Sequence, residues 1–305
     1  VRQGGTVKLC LAVDDRFKKN NFRQMKIAHT IKEVHKNVQV ARQQGLRIGL
    51  VPTMGALHAG HGSLVEEAVK ECDFVIVTIF VNPTQFGPGE DLDKYPRTLK
   101  ADSAYCEKLG ADLVFAPSAE EMYPDEQLTW VKVKKLTEPL CGAKRPGHFR
   151  GVTTVCTKLF NIVQADIAYF GQKDAQQVLV IQRMVADLNI PLQIRICPIV
   201  REEDGLAMSS RNKYLSEDQR QQAVCLYQAL CWCKEQIEAG RRDVIELKSH
   251  MMTIIEQQGG QIDYIEIVDA EILEPCQEFN GRILIALAVY FGNTRLIDNL
   301  LLDLK

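Results

Sequence analysis

The sequence predicts an α/β fold, a Rossmann-like, mainly parallel sheet forming an N-terminal domain, with a smaller α+β C-terminal domain behind it. Three observations carry this. Strand-like apolar runs alternate with helical patterns from residue 25 to about 200, the signature of βαβ units. The run at residues 74–81, Phe-Val-Ile-Val-Thr-Ile-Phe-Val, is continuously apolar and β-branched, which suits a parallel strand covered on both faces. After residue 200 the alternation gives way to long helical patterns followed by strands.

Taken in order, residues 30–44 read as a helix, with Ile31, Val34, Val38 and Ala41 on one face and Gly45 ending it. Residues 48–51 read as a strand, 63–71 as a helix and 74–81 as the buried strand. A helix over 100–109, a short strand over 113–116, a helix within 148–164 and a strand over 167–170 follow. Residues 174–189 are predicted helical and 192–200 extended. Right-handed crossovers then place the ligand crevice at the strands' C-terminal ends. In the smaller unit, 217–239 reads as one long helix and 244–258 as another. Strands are expected over 262–268 and 283–289, with Gly292 and Asn293 in a turn. The predicted organisation is an extension outside the fold (1–24), a first domain (25–200) and a second (201–305), divided near the loop at 201–205. The first methionine is Met25, and the basic segment before it contains Asp14 and Asp15 and no serine, a weak transit-peptide pattern.

Composition narrows the function. The chain has 305 residues, 46% hydrophobic and 25% charged, which is ordinary for a globular protein. A net charge of −2 without an extended basic run points away from nucleic acid. No apolar stretch reaches membrane-spanning length. The ten cysteines are scattered and read as reduced, buried thiols, and with no secretory signal the expected location is cytoplasmic.

The most informative stretch is 50–64, Leu-Val-Pro-Thr-Met-Gly-Ala-Leu-His-Ala-Gly-His-Gly-Ser-Leu. A strand runs through Pro52, Thr53, Met54 and Gly55 into a helix start carrying His58 and His61. Unpaired first-turn N–H groups and the helix dipole favour an anion there. Histidines three apart share a helical face and can donate to neighbouring phosphate oxygens. Gly60 lets a ligand approach the backbone. A zinc reading needs a third ligand, and no other cluster with metal spacing is visible, so no metal site is assigned.

Four other segments are individually modest. Asn82 and Gln85 leave the end of the most buried strand, where amides can bind a hydroxyl or carboxylate, although alone an Asn-Pro turn after a strand is more often only a turn. Arg145 and His148 sit in a Gly/Pro-marked loop (145–151) suited to an anion or simply to solvent. Gly171, Gln172, Lys173 and Asp174 form a second strand-to-helix corner. Asp174 either caps the helix or holds a ribose hydroxyl. Residues 205–211 bring Met208, Ser209, Ser210 and Arg211 onto one loop, as a pyrophosphate clamp requires. No Ser-His-Asp, Cys-His or Walker motif competes. Together these segments indicate an ATP site that works by positioning and charge stabilisation.

His58-Ala-Gly-His61 after a strand resembles the His-x-Gly-His element of the nucleotidyltransferase superfamily that includes class I aminoacyl-tRNA synthetases. The full set of segments resembles the pantothenate synthetase (pantoate–β-alanine ligase) family over residues 25–305. It includes Val-Asn-Pro-Thr-Gln-Phe, Tyr-Pro-Arg-Thr, Arg-Pro-Gly-His-Phe-Arg-Gly, Gly-Gln-Lys-Asp, Asp-Gly-Leu-Ala-Met-Ser-Ser-Arg-Asn and, at 294–299, Thr-Arg-Leu-Ile-Asp-Asn. The resemblance implies that ATP activates pantoate as pantoyl adenylate, releasing pyrophosphate, and that β-alanine then attacks to give pantothenate and AMP. It implies that His58 and His61 contact the phosphates, His61 being the family's proposed proton donor. It places Thr53 and Met54 at the nucleotide and Val200 at adenine. Gly171, Lys173 and Asp174 would hold ATP, Gln85 and Gln177 pantoate, and the 208–211 segment would close over the triphosphate. It also implies Mg2+ with ATP and a homodimer. Gln172 departs from the family's usual glutamate, Ala175 from an aromatic, and Gly62 costs the helix about 1 kcal/mol against alanine. Two alternatives are an adenylating ligase with another amine acceptor and a non-catalytic nucleotide-binding relative.

Overall fold

In the computed structural model, which describes residues 24–276 and 279–304, strand β1 (Lys26–Ala28) enters helix α1 (Ile31–Gln43) through a capping box. Thr30 Oγ1 accepts the Glu33 N–H at 3.2 Å and the Glu33 carboxylate accepts the Thr30 N–H at 3.0 Å. Then follow β2 (Ile48–Thr53), α2 (Ala59–Glu71), β3 (Phe74–Ile79), α3 (Leu99–Leu109) and β4 (Leu113–Phe115). Short helices α4 (Ala119–Met122) and α5 (Cys141–Lys144) precede α6 (His148–Val163), β5 (Ile167–Gly171), α7 (Ala175–Asp187) and β6 (Gln193–Cys197).

These six strands form one parallel sheet in the order β1-β4-β3-β2-β5-β6. Successive side chains of a strand point to opposite faces, and the cores divide accordingly. Ile48, Leu50, Ile76, Leu113 and Phe115 pack with residues of α1 and α6 such as Val34, Val38 and Leu159. Val51, Val75, Val77 and Val114 pack with Leu64, Val65 and Ala68 of α2 and Cys106 of α3. Each fully buried aliphatic side chain stabilises the sheet by roughly 1.5–3 kcal/mol. Burying both faces is what makes the β3 sequence read as an unbroken apolar run. From β2 the sheet grows one way through β3 and β4 and the other way through β5 and β6. The crevice outside the carboxyl ends of β2 and β5 lies where the direction reverses.

The second unit contains α8 (Glu217–Gln222), α9 (Cys225–Glu238) and α10 (Val244–Glu256) on a three-stranded antiparallel sheet of β7 (Gln261–Asp269), β8 (Gly281–Phe291) and β9 (Thr294–Leu304). Leu226, Leu230 and Met251 cover one face through Ile265, Ile283, Ile285 and Leu287. On the other face Leu284 and Ala286 meet Leu140, with Ala175 and Leu179 of α7 packed against them.

Several expectations are corrected. The helix expected over 217–239 is two helices. The six residues of α8 bury nothing and are held by their own capping box at Ser216, while α9 presents an apolar face. Between them Val224 N–H bonds Gln221 O at 3.3 Å and Leu226 N–H bonds Ala223 O at 3.2 Å, i→i+3 bonds that tighten and turn the chain. Helix α2 starts at Ala59 rather than residue 63, because His58 supplies its cap. The strand expected over 192–200 stops at Cys197. Strands β1 and β9 were not expected. The predicted turn at Gly292 and Asn293 is a two-residue hairpin link, with Phe291 opposite Thr294. The expectation for residues 1–24 lies outside the described residues, Gln24 apart. The nine described cysteines are free, and seven are buried. Among the described residues no helix is long and apolar enough to cross a membrane.

Candidate active site

At the end of β2 the chain turns through Gly55 (φ +86°) and Ala56 (φ +51°). Asp102 of α3, 3% exposed, fixes that turn by accepting the N–H groups of Ala56 and Leu57 at 3.0 and 2.9 Å and the Thr98 hydroxyl at 3.0 Å. A Cβ at position 55 would stand 3.1 Å from the Asp102 carboxylate, so the left-handed φ and the close acceptor together require glycine. Thr53 Oγ1 donates to Thr78 O at 2.6 Å and accepts the Gly55 N–H at 3.3 Å, tying the turn to β3.

The turn delivers His58 as N-cap of α2. Its Nδ1 accepts the Gly60 N–H at 3.1 Å, so the proton of the neutral ring sits on Nε2, which is left to donate. His61 follows in the first turn, its ring centroid 4.1 Å from that of His58. Two expectations change here. The first-turn amides are not simply open to an anion, since Gly60 N–H is taken by His58 and His61 N–H by His58 O. The space beside Gly60 is filled by the His58 ring, 2.9 Å from where a Cβ would stand. Burial lowers the His58 pKa to about 4, aided by the Lys173 and Lys213 charges. Burial, then His58 and Lys173, lower that of His61 to about 3. Both rings are therefore neutral near pH 7. The His61 Nδ1 is buried without a hydrogen-bond partner.

The second corner follows β5. Gln172–Asp174 makes a 3-10 turn into α7. Lys173 Nζ lies 4.0 Å from the Asp174 carboxylate. Asp174 occupies the N-cap position but makes no side-chain cap, which removes the capping reading and leaves its carboxylate on the cleft. Of the two glutamines behind it, Gln176 is structural: it accepts Cys141 N–H and donates to Leu136 O and Pro139 O. Gln177 lines the cleft.

The third wall is the hairpin around Gly205. Val200 O accepts the Met208 N–H at 3.0 Å, and Arg201 is bridged to Ala207. Ser209 Oγ then accepts the Arg211 N–H at 3.3 Å and starts a 3-10 turn, Ser210–Tyr214. The Arg211 guanidinium is gripped by Asp91 through two bonds of 3.1 Å, and Tyr95 OH stands 3.4 Å from Ser210 Oγ.

The fourth wall joins the turn after β3 to the start of α6. Asn82, 1% exposed, holds the Pro83–Gln85 turn. It accepts from Thr84 and Tyr123, and donates to Gln85 Oε1 at 3.1 Å and Gly151 O at 3.3 Å. Gln85 Nε2 points to Met54 Sδ at 3.1 Å. Arg145 donates to His148 Nε2 at 3.0 Å, so His148 Nδ1 carries the proton and donates to Gln85 O at 2.8 Å. Burial and the Arg145 charge lower the His148 pKa to about 4. Arg145 itself is held by Glu90 through bonds of 2.7 and 2.6 Å.

The second, third and fourth of these segments border a cleft of about 1160 Å³ between the two units, lined by Arg145, His148, Lys173, Asp174, Gln177, Ser209 and Arg211 among others. Thr53, Met54, Gly55, Gly60, Asn82, Gln85, Gly171, Gln172, Val200, Met208 and Ser210 do not line it, nor do His58 and His61, although both histidines feel the charge of Lys173, which does. Among the described residues no three His, Cys, Asp or Glu side chains gather as a metal site. Sequence reasoning missed Glu90, Asp91, Tyr95 and Asp102. For the last two, the Tyr-Pro-Arg-Thr segment offered a signal, since Tyr95 meets the Ser210 segment and Thr98 bonds Asp102.

The comparisons with known proteins agree with this geometry. The family model described as pantoate-beta-alanine ligase matches residues 26–301. The chain is 56% identical over 282 residues to a pantothenate synthetase of Moorella thermoacetica, covering 92% of this chain and 100% of that one. It is 53% identical over 280 residues to that of Acetivibrio thermocellus, with 92% and 100% coverage. The crystal structure of pantothenate synthetase from Thermus thermophilus superposes with a TM-score of 0.85 at 45% identity, covering 90% and 99% of the two chains. A pantoate-beta-alanine ligase from Francisella tularensis, complexed with beta-gamma ATP and beta-alanine, matches with a TM-score of 0.77 at 39% identity, covering 91% and 97%. With the two-sheet α/β architecture, the sheet's reversal point and its cleft in place, the chain belongs to the pantoate–β-alanine ligase family, the pantothenate synthetases.

Proposed function

We propose that this ligase joins pantoate to β-alanine through pantoyl adenylate, with the corners after β2 and β5 sharing one triphosphate. A pantoate carboxylate oxygen attacks the α-phosphorus of ATP and pyrophosphate leaves. The amine of β-alanine then attacks the acyl carbon and AMP leaves. A carboxylate is a poor electrophile, and adenylation gives its carbon a good leaving group. The observation that carries the reading is geometric: β2 and β5 are neighbouring parallel strands, so the turn leading to His58 and His61 and the turn carrying Lys173 leave the same edge of the sheet side by side.

In this reading Lys173 and Arg211 offset the charge developing on the leaving pyrophosphate, and Ser209 and Ser210 donate to it. His58 donates from Nε2. His61 begins neutral, and the triphosphate's negative charge raises its pKa, so ATP itself makes His61 available as an acid. Thr53, Met54, Gly55, Gly171 and Val200 frame the nucleotide, and Asp174 holds a ribose hydroxyl. Gln85 and Gln177 orient pantoate, with Asn82, Arg145 and His148 holding Gln85 in place. Mg2+ would accompany ATP and offset the charge of its phosphates, and no step is assigned to it. The domain limits at 200 and 201, the homodimer and the cytoplasmic location belong to the same proposal. Sedimentation velocity reads the dimer.

The test is pyrophosphate release from ATP and Mg2+ with pantoate, with and without β-alanine. One turnover without the amine, and sustained release of AMP and pantothenate with it, is expected. No release from pantoate alone, in protein that turns over with both substrates, overturns the adenylate order.

A further inference from the structure

The Lys173 corner has an unusual attachment. Neither Gly171, at the start of its 3-10 turn, nor Asp174, at the start of α7, provides a side-chain cap. The lock comes instead from β9 of the other unit. Asn299, 3% exposed, donates Nδ2 to Gln172 O at 3.1 Å and to Lys173 O at 2.9 Å. Its Oδ1 faces Gln172 Nε2 at 3.4 Å, so both amide hydrogens and the amide oxygen are engaged with one turn.

The neighbouring residue points the other way, as successive strand side chains do. Asp298, 2% exposed, takes the Arg201 guanidinium at 2.6 and 3.0 Å and caps the Asn299 N–H at 2.8 Å. Arg201 in turn donates to Gly205 O at 3.0 Å and stacks on Tyr227, 3.9 Å from its ring centre. Two adjacent residues of β9 thus hold the Lys173 corner on one side and the hairpin leading to Ser209 and Arg211 on the other.

We propose that Asn299 is a positioning residue for the reaction, holding the Gln172–Lys173 peptide so that the Lys173 ammonium stands at the ATP phosphates. The inference rests on the reading of Lys173 as a phosphate ligand. It gives Gln172 a role as well: its amide donates to the side chain that grips its own carbonyl. Asn299 acts through Lys173 and the turn, and its loss is felt in ATP use before it is felt in pantoate use.

The test uses the full chain with Asn299→Leu, nearly isosteric and without donors, Asn299→Ser, which keeps one short donor, Lys173→Ala, and the Lys173→Ala/Asn299→Leu double variant. Steady-state constants are measured for both substrates, and the folded fraction by denaturant melts. Asn299→Leu is expected to raise the KM for ATP or lower kcat by about tenfold or more, with the KM for pantoate within about twofold and Asn299→Ser in between. The double variant is expected to be no worse than Lys173→Ala alone, because residues acting as one unit are not additive. An Asn299→Leu loss that tracks only the folded fraction, or that multiplies with the Lys173→Ala loss, overturns the proposal. If Lys173→Ala itself leaves ATP use unchanged, the reading of Lys173 fails, and this inference fails with it. A large Lys173→Ala effect beside a silent Asn299→Leu overturns the inference alone.

Discussion

Gly151 sits in the second turn of α6, where alanine would ordinarily stabilise a helix by about 1 kcal/mol. The structure predicts the opposite sign. A Cβ at position 151 would lie 2.3 Å from Thr84 O, 2.5 Å from Thr84 C and 2.7 Å from Gln85 Cα. The first distance is about 1.1 Å short of the 3.4 Å at which ordinary contact begins. The obstacle is backbone, so no rotamer change relieves it. Overpacking of this kind costs about 1–3 kcal/mol, more than the helix gains. Relief requires the Pro83–Gln85 turn to move by about 1 Å. That turn carries Gln85, whose carbonyl is held by His148 and whose amide is held by Asn82. A misplacement of that size costs on the order of 100-fold in a positioned reaction. Gly151→Ala is therefore expected to lower kcat/KM for pantoate by about 10- to 100-fold and to lower Tm by a few degrees. Pyrophosphate release at varied pantoate, with a thermal melt of the same sample, measures both. A raised Tm with unchanged kcat/KM would show that helix propensity wins and that Gln85 is not positioned by this contact.

Lys173→Ala and His61→Ala are each expected to lower kcat/KM by more than tenfold with circular dichroism unchanged; wild-type turnover in either removes that residue from the mechanism. Three histidines, His148 buried and His58 and His61 half-buried, make stability fall in acid. Their folded pKa values, about 4 for His58 and His148 and about 3 for His61, lie below the unfolded value near 6.5. The unfolded chain thus binds protons first, and stability present above pH 6.5 is lost toward pH 4 for His58 and His148 and toward pH 3 for His61, by at most about 1.4 kcal/mol per pH unit for each and less where the ring is partly exposed. His148→Gln should flatten that slope in urea melts between pH 4 and 7; an unchanged slope would refute the assignment. Asp298→Ala should destabilise the chain by about 3 kcal/mol, because it leaves the Arg201 guanidinium without its partner, and a loss below about 1 kcal/mol would show that the pair contributes little.

The sheet was legible wherever burial was symmetric. β3, with both faces covered, wrote an apolar run into the sequence, and α1 wrote its single stripe with Val34, Val38 and Ala41. β9 escaped because Asp298 and Asn299 interrupt its apolar pattern, and both polar groups are buried for reasons that lie in the 171–205 region. The turn at Gly292 and Asn293 was the available signal, since a two-residue link after a strand implies a partner strand. Among site residues, those on strand-to-helix corners were readable because a corner has a local pattern. The carboxylates that meet Arg145 and Arg211 were not, because Glu90 and Asp91 lie 55 and 120 positions away along the chain. Asp174 was ambiguous in sequence between cap and ligand, and only backbone geometry separates the two.

The paired arginines bear on selectivity. Adjacent carboxylates of one loop, Glu90 and Asp91, already occupy the guanidiniums of Arg145 and Arg211. These two guanidiniums are thus neutralised locally by carboxylates, while Lys94, Lys144 and Lys173 also line the cleft. Any anion that takes either guanidinium has to displace a two-pronged carboxylate already in place. A lone orthophosphate offers little beyond what it would replace, whereas a triphosphate can engage several cations and amides along its length at once. The loop at 90 and 91 therefore seats both guanidiniums before any ligand arrives, and an anion gains from either only by competing with a carboxylate already in place.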